Sequence, residues 1–124
     1  MRGQRLFVRP IDDQDHDSVR TFLERHADGA RVPECGLVGK LVGELVAVMT
    51  IAVTDDAIRV DDLVVAPEMR RKRIGRVMLD ELDGLAAKME RDWLIIERAR
   101  DARYFFERVG FVPEGNRMVR RVRR

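Results

Sequence analysis

A mixed α/β domain is what this sequence predicts, on three observations. Apolar β-branched runs alternate with segments whose apolar residues recur at steps of three and four, so strands and helices interleave along the chain. The 124 residues, 45% hydrophobic and 37% charged, suffice for one core beneath a densely charged surface and predict a single domain over residues 1–124. Finally, Leu63, Val64 and Val65 run into a basic turn, Arg70, Arg71, Lys72 and Arg73, that opens onto the longest amphipathic pattern in the chain.

Taken in order, residues 5–9 read as a first strand that Pro10 stops, and Asp12 and Asp13 follow as caps for a helix carrying Val19, Phe22 and Leu23. Residues 28–34, with Gly29 and Pro33, read as a loop. Strands over 37–41 and 44–54 turn at Val42 and Gly43, and Asp55 and Asp56 lead into a third strand from Ala57, which makes an antiparallel meander. Pro67 ends that strand, because it cannot donate to a ladder and holds its predecessor extended. Beyond Gly75, the positions Val77, Met78, Leu82, Leu85, Ala86 and Met89 keep a helical period. Trp93, Leu94, Ile95 and Ile96 form a compact strand, residues 101–109 a short helix, and Phe111 with Val112 starts another strand. Met118 and Val119 finish the sheet.

Charge is nearly balanced over the whole chain, 24 Lys and Arg against 22 Asp and Glu, but residues 98–124 hold nine Arg and three acids. A solubilising, partly frayed basic tail is the plain reading of that end, and a patch for an anionic substrate or partner is the sharper one. Nucleic acid has only this segment in its favour, since no reading helix or aromatic stacking motif accompanies it. One cysteine, Cys35, cannot form an intramolecular disulfide, no apolar run is long enough to cross a bilayer, and the start lacks a secretory pattern, so a cytoplasmic protein is expected. His16 and His26 lack metal-ligand spacing and carboxylate companions, so no metal is expected.

The junction at 63–76 reads as an anion site. Unpaired N–H groups and the positive end of the dipole converge at a helix start, and four consecutive cations oppose that dipole unless an anion joins them. The stretch resembles the acyl-CoA motif of the GNAT superfamily of N-acetyltransferases: Gln or Arg, two variable residues, Gly, one variable residue, then Gly or Ala. Arg70 and Gly75 match, and Arg73 stands where the first Gly belongs. The resemblance extends to Tyr104, Phe105, Phe106, Glu107, Arg108, Val109, Gly110 and Phe111, similar to the family's late helix and its Gly-Phe, and covers residues 57–112. It implies the order β-α-β-β-β-α-β-α-β-β and acetyl-CoA as cofactor, held by the backbone of Leu63, Val64 and Val65, by Arg70, Arg71, Lys72, Arg73, Ile74, Gly75 and Arg76, and by Phe106. Two strands that diverge would admit the pantetheine arm. Because Arg73 has a Cβ, the loop is expected to keep an ordinary φ there or to hold the phosphates less closely.

Transfer of acetyl to an amine needs a base. Asp61 and Asp62 fall in a strand expected near the sheet centre, where an unpaired carboxylate is costly, and Glu97 ends the next strand. Strict alternation puts Asp61 on the face of Leu63 and Val65, which makes it the first choice, while Arg59 and Arg98 stand ready to tie these carboxylates into structural ion pairs. Phe106 occupies the position of the family's usual proton-donating tyrosine, and a phenyl ring has no proton to give. Two readings follow from the resemblance: an acetyl-CoA-dependent N-acetyltransferase working by direct attack in a ternary complex, or a non-catalytic acyl-CoA-binding module. The acceptor, a small molecule or a protein amine, is not named by any motif, loop 28–34 is expected to border it, and a homodimer stays open.

Overall fold

The computed structural model describes residues 6–27, 29–70, 73–99 and 102–123. Seven strands and three α-helices follow one another as β1 (Leu6–Pro10), α1 (His16–His26), β2 (Gly36–Leu41), β3 (Glu44–Val53), β4 (Ala57–Val65), α2 (Ile74–Lys88), β5 (Trp93–Ile96), α3 (Arg103–Arg108), β6 (Val112–Glu114) and β7 (Arg117–Arg121). This is the expected order. The strands form one sheet, β1-β2-β3-β4-β5-β7-β6, antiparallel throughout except for the central pair, β4 beside β5.

Two apolar clusters divide the helices between the faces. Ile74, Met78, Leu79, Leu82 and Ala86 of α2 and Phe106 of α3 bury against Ile58, Val60, Leu94, Ile96 and Met118. On the other face Val19, Phe22 and Leu23 of α1 bury against Val38, Val48 and Ala66. Each helix therefore spends the apolar stripe visible in its sequence on one side of the sheet. No described helix is long and apolar enough to cross a membrane.

Pro10 lies inside β1 rather than beyond it, paired with Leu37, which an edge strand tolerates because the missing N–H can face outward. Asp12 caps a 3₁₀ turn over Asp13–Asp15 that leads into α1, and does not cap α1 itself: its Oδ1 accepts from the Gln14 N–H at 2.9 Å, while Asp15 accepts from the Asp12 N–H at 2.9 Å. Arg9 donates to both oxygens of Asp15, at 2.6 and 2.7 Å, and this hydrogen-bonded cation holds the buried carboxyl down at about 2.

The basic C-terminal segment is not a frayed tail. Strand β7 lies between β5 and β6, and alternation sends Met118 and Arg120 towards α2. Arg120 is buried and donates to Asp83 of α2 at 2.7 Å, and the other oxygen of Asp83 accepts from the Arg123 backbone N–H at 3.0 Å. Arg123 in turn donates to the Val109 carbonyl at 2.8 Å. Two of the arginines that look like a solubilising run thus close the end of the sheet over α2 and the turn after α3. Composition hid this, because a lone acid thirty-seven residues away supplies the counter-charge.

Candidate active site

The chain leaves β4 at Val65, makes a short 3₁₀ turn over Pro67–Met69 and enters α2 at Ile74. Arg73, the residue before α2, has φ 64° and ψ 18°, a left-handed conformation that costs a non-glycine residue about 1–2 kcal/mol. The expectation of an ordinary φ at Arg73 is thereby corrected. The turn onto α2 demands the geometry that glycine adopts freely, and arginine takes it under strain. Among the described residues no side chain caps α2 and no acid stands in its first turn, which leaves its leading N–H groups open to a ligand. Gly75 brings the helix start against α3, since a Cβ there would lie 3.3 Å from the Phe105 ring.

Leu63, Val64, Val65, Arg70, Arg73, Ile74, Gly75 and Arg76 line one cleft of about 730 Å³, joined by Phe105, Arg108 and others. Among the described residues its lining contains four arginines and no acid, and none of the four is in an ion pair with another described residue. Arg71 and Lys72 lie outside the described residues. Apolar walls from Leu63, Val65 and Phe105 complete a channel suited to a long ligand with an anionic end. Phe105 and Arg108 were not singled out as site residues by sequence, although their position one turn apart on α3 is visible there.

Pairing between β4 and β5 stops at Val60 with Ile96, and the Glu97 N–H gives the last bond to the Val60 carbonyl at 3.0 Å. Strand β4 runs on for five residues without β5, so the sheet opens at its centre. A β-bulge lies at the same place. Thr50 pairs with Asp62 and Ile51 with Val60, which leaves Asp61 as the extra residue on β4.

The bulge overturns the face assignment drawn from strict alternation. Ile58 and Val60 before it, and Leu63 and Val65 after it, all pack towards α2, so the parity of the strand changes at Asp61. Asp61 lies with Arg59, which donates to both its oxygens at 2.6 and 3.2 Å, and not with Leu63 and Val65. Hydrogen bonding and charge from Asp61, with a smaller push from Glu97, raise the affinity of Arg59 for its proton. Asp62 accepts from the Leu63 N–H at 3.0 Å, and neither Asp62 nor Glu97 is in an ion pair among the described residues.

A second cleft, about 520 Å³, opens on the α1 side of this gap and brings Asp61, Asp62 and Glu97 together with Thr50, Arg59, Arg98 and Arg31. Arg31 comes from the loop expected to border such a cleft. A small cavity of about 90 Å³ lies between the two clefts, sharing Asp61, Asp62 and Arg98 with one and Leu63, Ala102 and Phe105 with the other. Phe106 lines this connection rather than the large cleft, only 4% exposed and edge-on to Phe105 and Phe111. Tyr104 is 81% exposed and faces neither cleft. Thr50 and Arg31 could not be found from spacing, because register and loop closure alone bring them here.

A family model described as an acetyltransferase (GNAT) domain matches residues 33–113. Among solved structures, the chain is similar to the ribosomal-protein-S18-alanine N-acetyltransferase from Escherichia coli (TM-score 0.78, 17% identity, 97% of this chain and 96% of that one). It is also similar to a GNAT family N-acetyltransferase from Escherichia coli in complex with CoA (TM-score 0.74, 14% identity, 98% and 83%). A third likeness is to N-acetylglutamate synthase from Neisseria gonorrhoeae complexed with coenzyme A and N-acetyl-glutamate (TM-score 0.72, 17% identity, 99% and 36%). No curated protein matches the chain by sequence. With the matched family model spanning most of its length, this chain belongs to the GNAT acetyltransferases.

Proposed function

We propose that the chain transfers an acetyl group from acetyl-CoA to a primary amine by direct attack within a ternary complex. The observation that carries this reading is the small cavity at the bulge, whose lining shares residues with the arginine-lined cleft on one side and with the mixed-charge cleft on the other. The phosphates of acetyl-CoA would lie against Arg70, Arg73, Arg76 and the uncapped start of α2, with Leu63, Val64 and Val65 along its arm. The thioester is then held at the connection and the amine enters from the other side, so proximity supplies much of the rate. In the family a solved relative contains CoA, which favours this placement.

Asp62 is the base in this account. Asp61 is neutralised by Arg59, and of the two remaining carboxylates only Asp62 lines both the connection and the acceptor cleft. The acceptor ammonium gives one proton to Asp62, its nitrogen bonds the acetyl carbon, and the C–S bond breaks with its electron pair on sulfur. The second nitrogen proton passes through water to sulfur, since Phe106 offers none. General acid help is worth about 10²–10⁴-fold, and a thiol with a reference pKa of about 8.5 leaves tolerably without it. A cytoplasmic setting, which keeps the exposed thiol of Cys35 reduced, fits this reading.

Phe106 favours a second reading, in which the cleft binds acyl-CoA without turnover. Phe106→Tyr separates the two. An enzyme keeps or gains turnover with cofactor affinity unchanged, whereas a binding module stays inert with every amine. Melting curves of both proteins with and without CoA exclude a variant that fails to fold, because a phenol without a partner in this apolar corner costs about 1–3 kcal/mol.

A further inference from the structure

We propose that the acceptor is a free α-amino acid, its ammonium taken by Asp62 and its carboxylate by Arg98. This deepens the transfer reading above and rests on it. Among the described residues the mixed-charge cleft carries three cations and three acids in its lining, Arg31, Arg59 and Arg98 with Asp61, Asp62 and Glu97. One pair cancels internally through the forked contact of Arg59 with Asp61. Arg31 and Arg98 have no ion-pair partner among the described residues, nor do Asp62 and Glu97. A simple alkyl amine or a polyamine would satisfy the acids and leave two guanidiniums facing it across the same cleft. A molecule with both charges satisfies both sets.

The spacing of the charges narrows the class. Asp62 and Arg98 both line the 90 Å³ connection, so an anion that binds Arg98 while its amine meets Asp62 must be attached close to that amine. An α-carboxylate is one carbon away. Leu23, Ala30 and Val64 leave an aliphatic wall for a side chain, and Arg31 adds to the field that draws the carboxylate inward. The cleft volume, about 520 Å³, lies within the range of small-molecule sites. A peptide N-terminus has an amide where the free acid has its carboxylate, and it gives Arg98 no counter-charge.

The test compares each L-amino acid with its own α-amide, which removes the charge but also lowers the pKa of the amine, so the two are compared at the high-pH plateau of each profile. With acetyl-CoA saturating, kcat/KM for the acids should exceed that for the amides by about tenfold or more, the size expected for one charge-assisted hydrogen bond. Arg98→Ala should raise KM for the acids far more than for the amides, bring the two towards parity and be partly rescued by Arg98→Lys. Amides or short peptides that serve as well as free acids would overturn the proposal while leaving acetyl transfer standing. Calorimetry of the same ligands on the CoA-loaded protein, which has no acetyl group to transfer, judges the inference independently of turnover. Preferential binding of the acids, lost in Arg98→Ala, supports it even if no acetyl moves, and equal binding of acid and amide refutes it.

Discussion

The two clefts that meet at β4 are built from different materials. On the α2 side the wall is backbone geometry plus cations: a strand edge that β5 leaves beyond Val60, a left-handed residue at Arg73, and, among the described residues, an uncapped helix start and four arginines outside any ion pair. On the α1 side the wall is made of side chains of both signs, one of whose pairs is already closed in the ion pair of Arg59 with Asp61. A backbone cradle accepts one ligand shape whatever the neighbouring side chains are. A cleft of both charges can be retuned one residue at a time, which under the proposed function suits the first cleft to the cofactor and the second to the acceptor.

The comparison breaks most readily at the cationic wall. Replacing Arg70, Arg73 and Arg76 together by Ala should weaken acetyl-CoA by on the order of a hundredfold at low salt and flatten its salt dependence, as titration calorimetry at two ionic strengths would read. Unchanged affinity would mean that the helix start and strand edge hold the ligand without the arginines. Across the bulge, Asp62→Asn should lower kcat by ~10²-fold at neutral pH and by less at high pH, where the amine sheds its proton unaided, with acetyl-CoA affinity constant. A larger loss in Asp61→Asn or Glu97→Gln, measured in the same pH series, would move the base.

Arg73→Gly sets geometry against charge at a single position. Relief of the left-handed φ should stabilise the fold by about 1 kcal/mol, visible as a higher Tm, while loss of the cation weakens acetyl-CoA severalfold at low salt and hardly at all at high salt. A lower Tm would show that the arginine side chain holds the turn.

The effect furthest from the chemistry lies outside both clefts. Asp15 titrates near 2 in the folded protein against an unfolded value of 3.8, so the stability it gives is complete above about pH 4 and is lost as pH falls through 2. Asp15→Asn should cost on the order of 2 kcal/mol at pH 7 and flatten the acid limb of the unfolding curve. Between pH 5 and 9 this pair contributes a constant amount, so a kcat profile in that window reports on the clefts and not on unfolding.

The backbone side of the site was legible in the sequence because each of its parts is local. Pro67 ends a strand, the spacing of Arg70 and Gly75 marks the loop, and the period from Val77 to Met89 marks the helix. The acceptor side was legible only as a short set of acids. Alternation fails at Asp61 because one extra residue on β4 is decided by pairing with β3, and nothing in the local pattern of Val60, Asp61, Asp62 and Leu63 announces it. Arg120 and Arg123 were misread for a related reason, since their partners on α2 and at Val109 are distant in sequence.

Amine-dependent release of CoA thiol from acetyl-CoA, followed together with mass spectrometry of the acceptor, tests the central claim most directly. The account predicts release that depends on added amino acid, matched mole for mole by N-acetylated product, in the wild type and equally or faster in Phe106→Tyr. Tight acetyl-CoA binding with no amine-dependent release from either folded protein, over free amino acids, amides, polyamines and peptides, would contradict it and leave a binding module in its place.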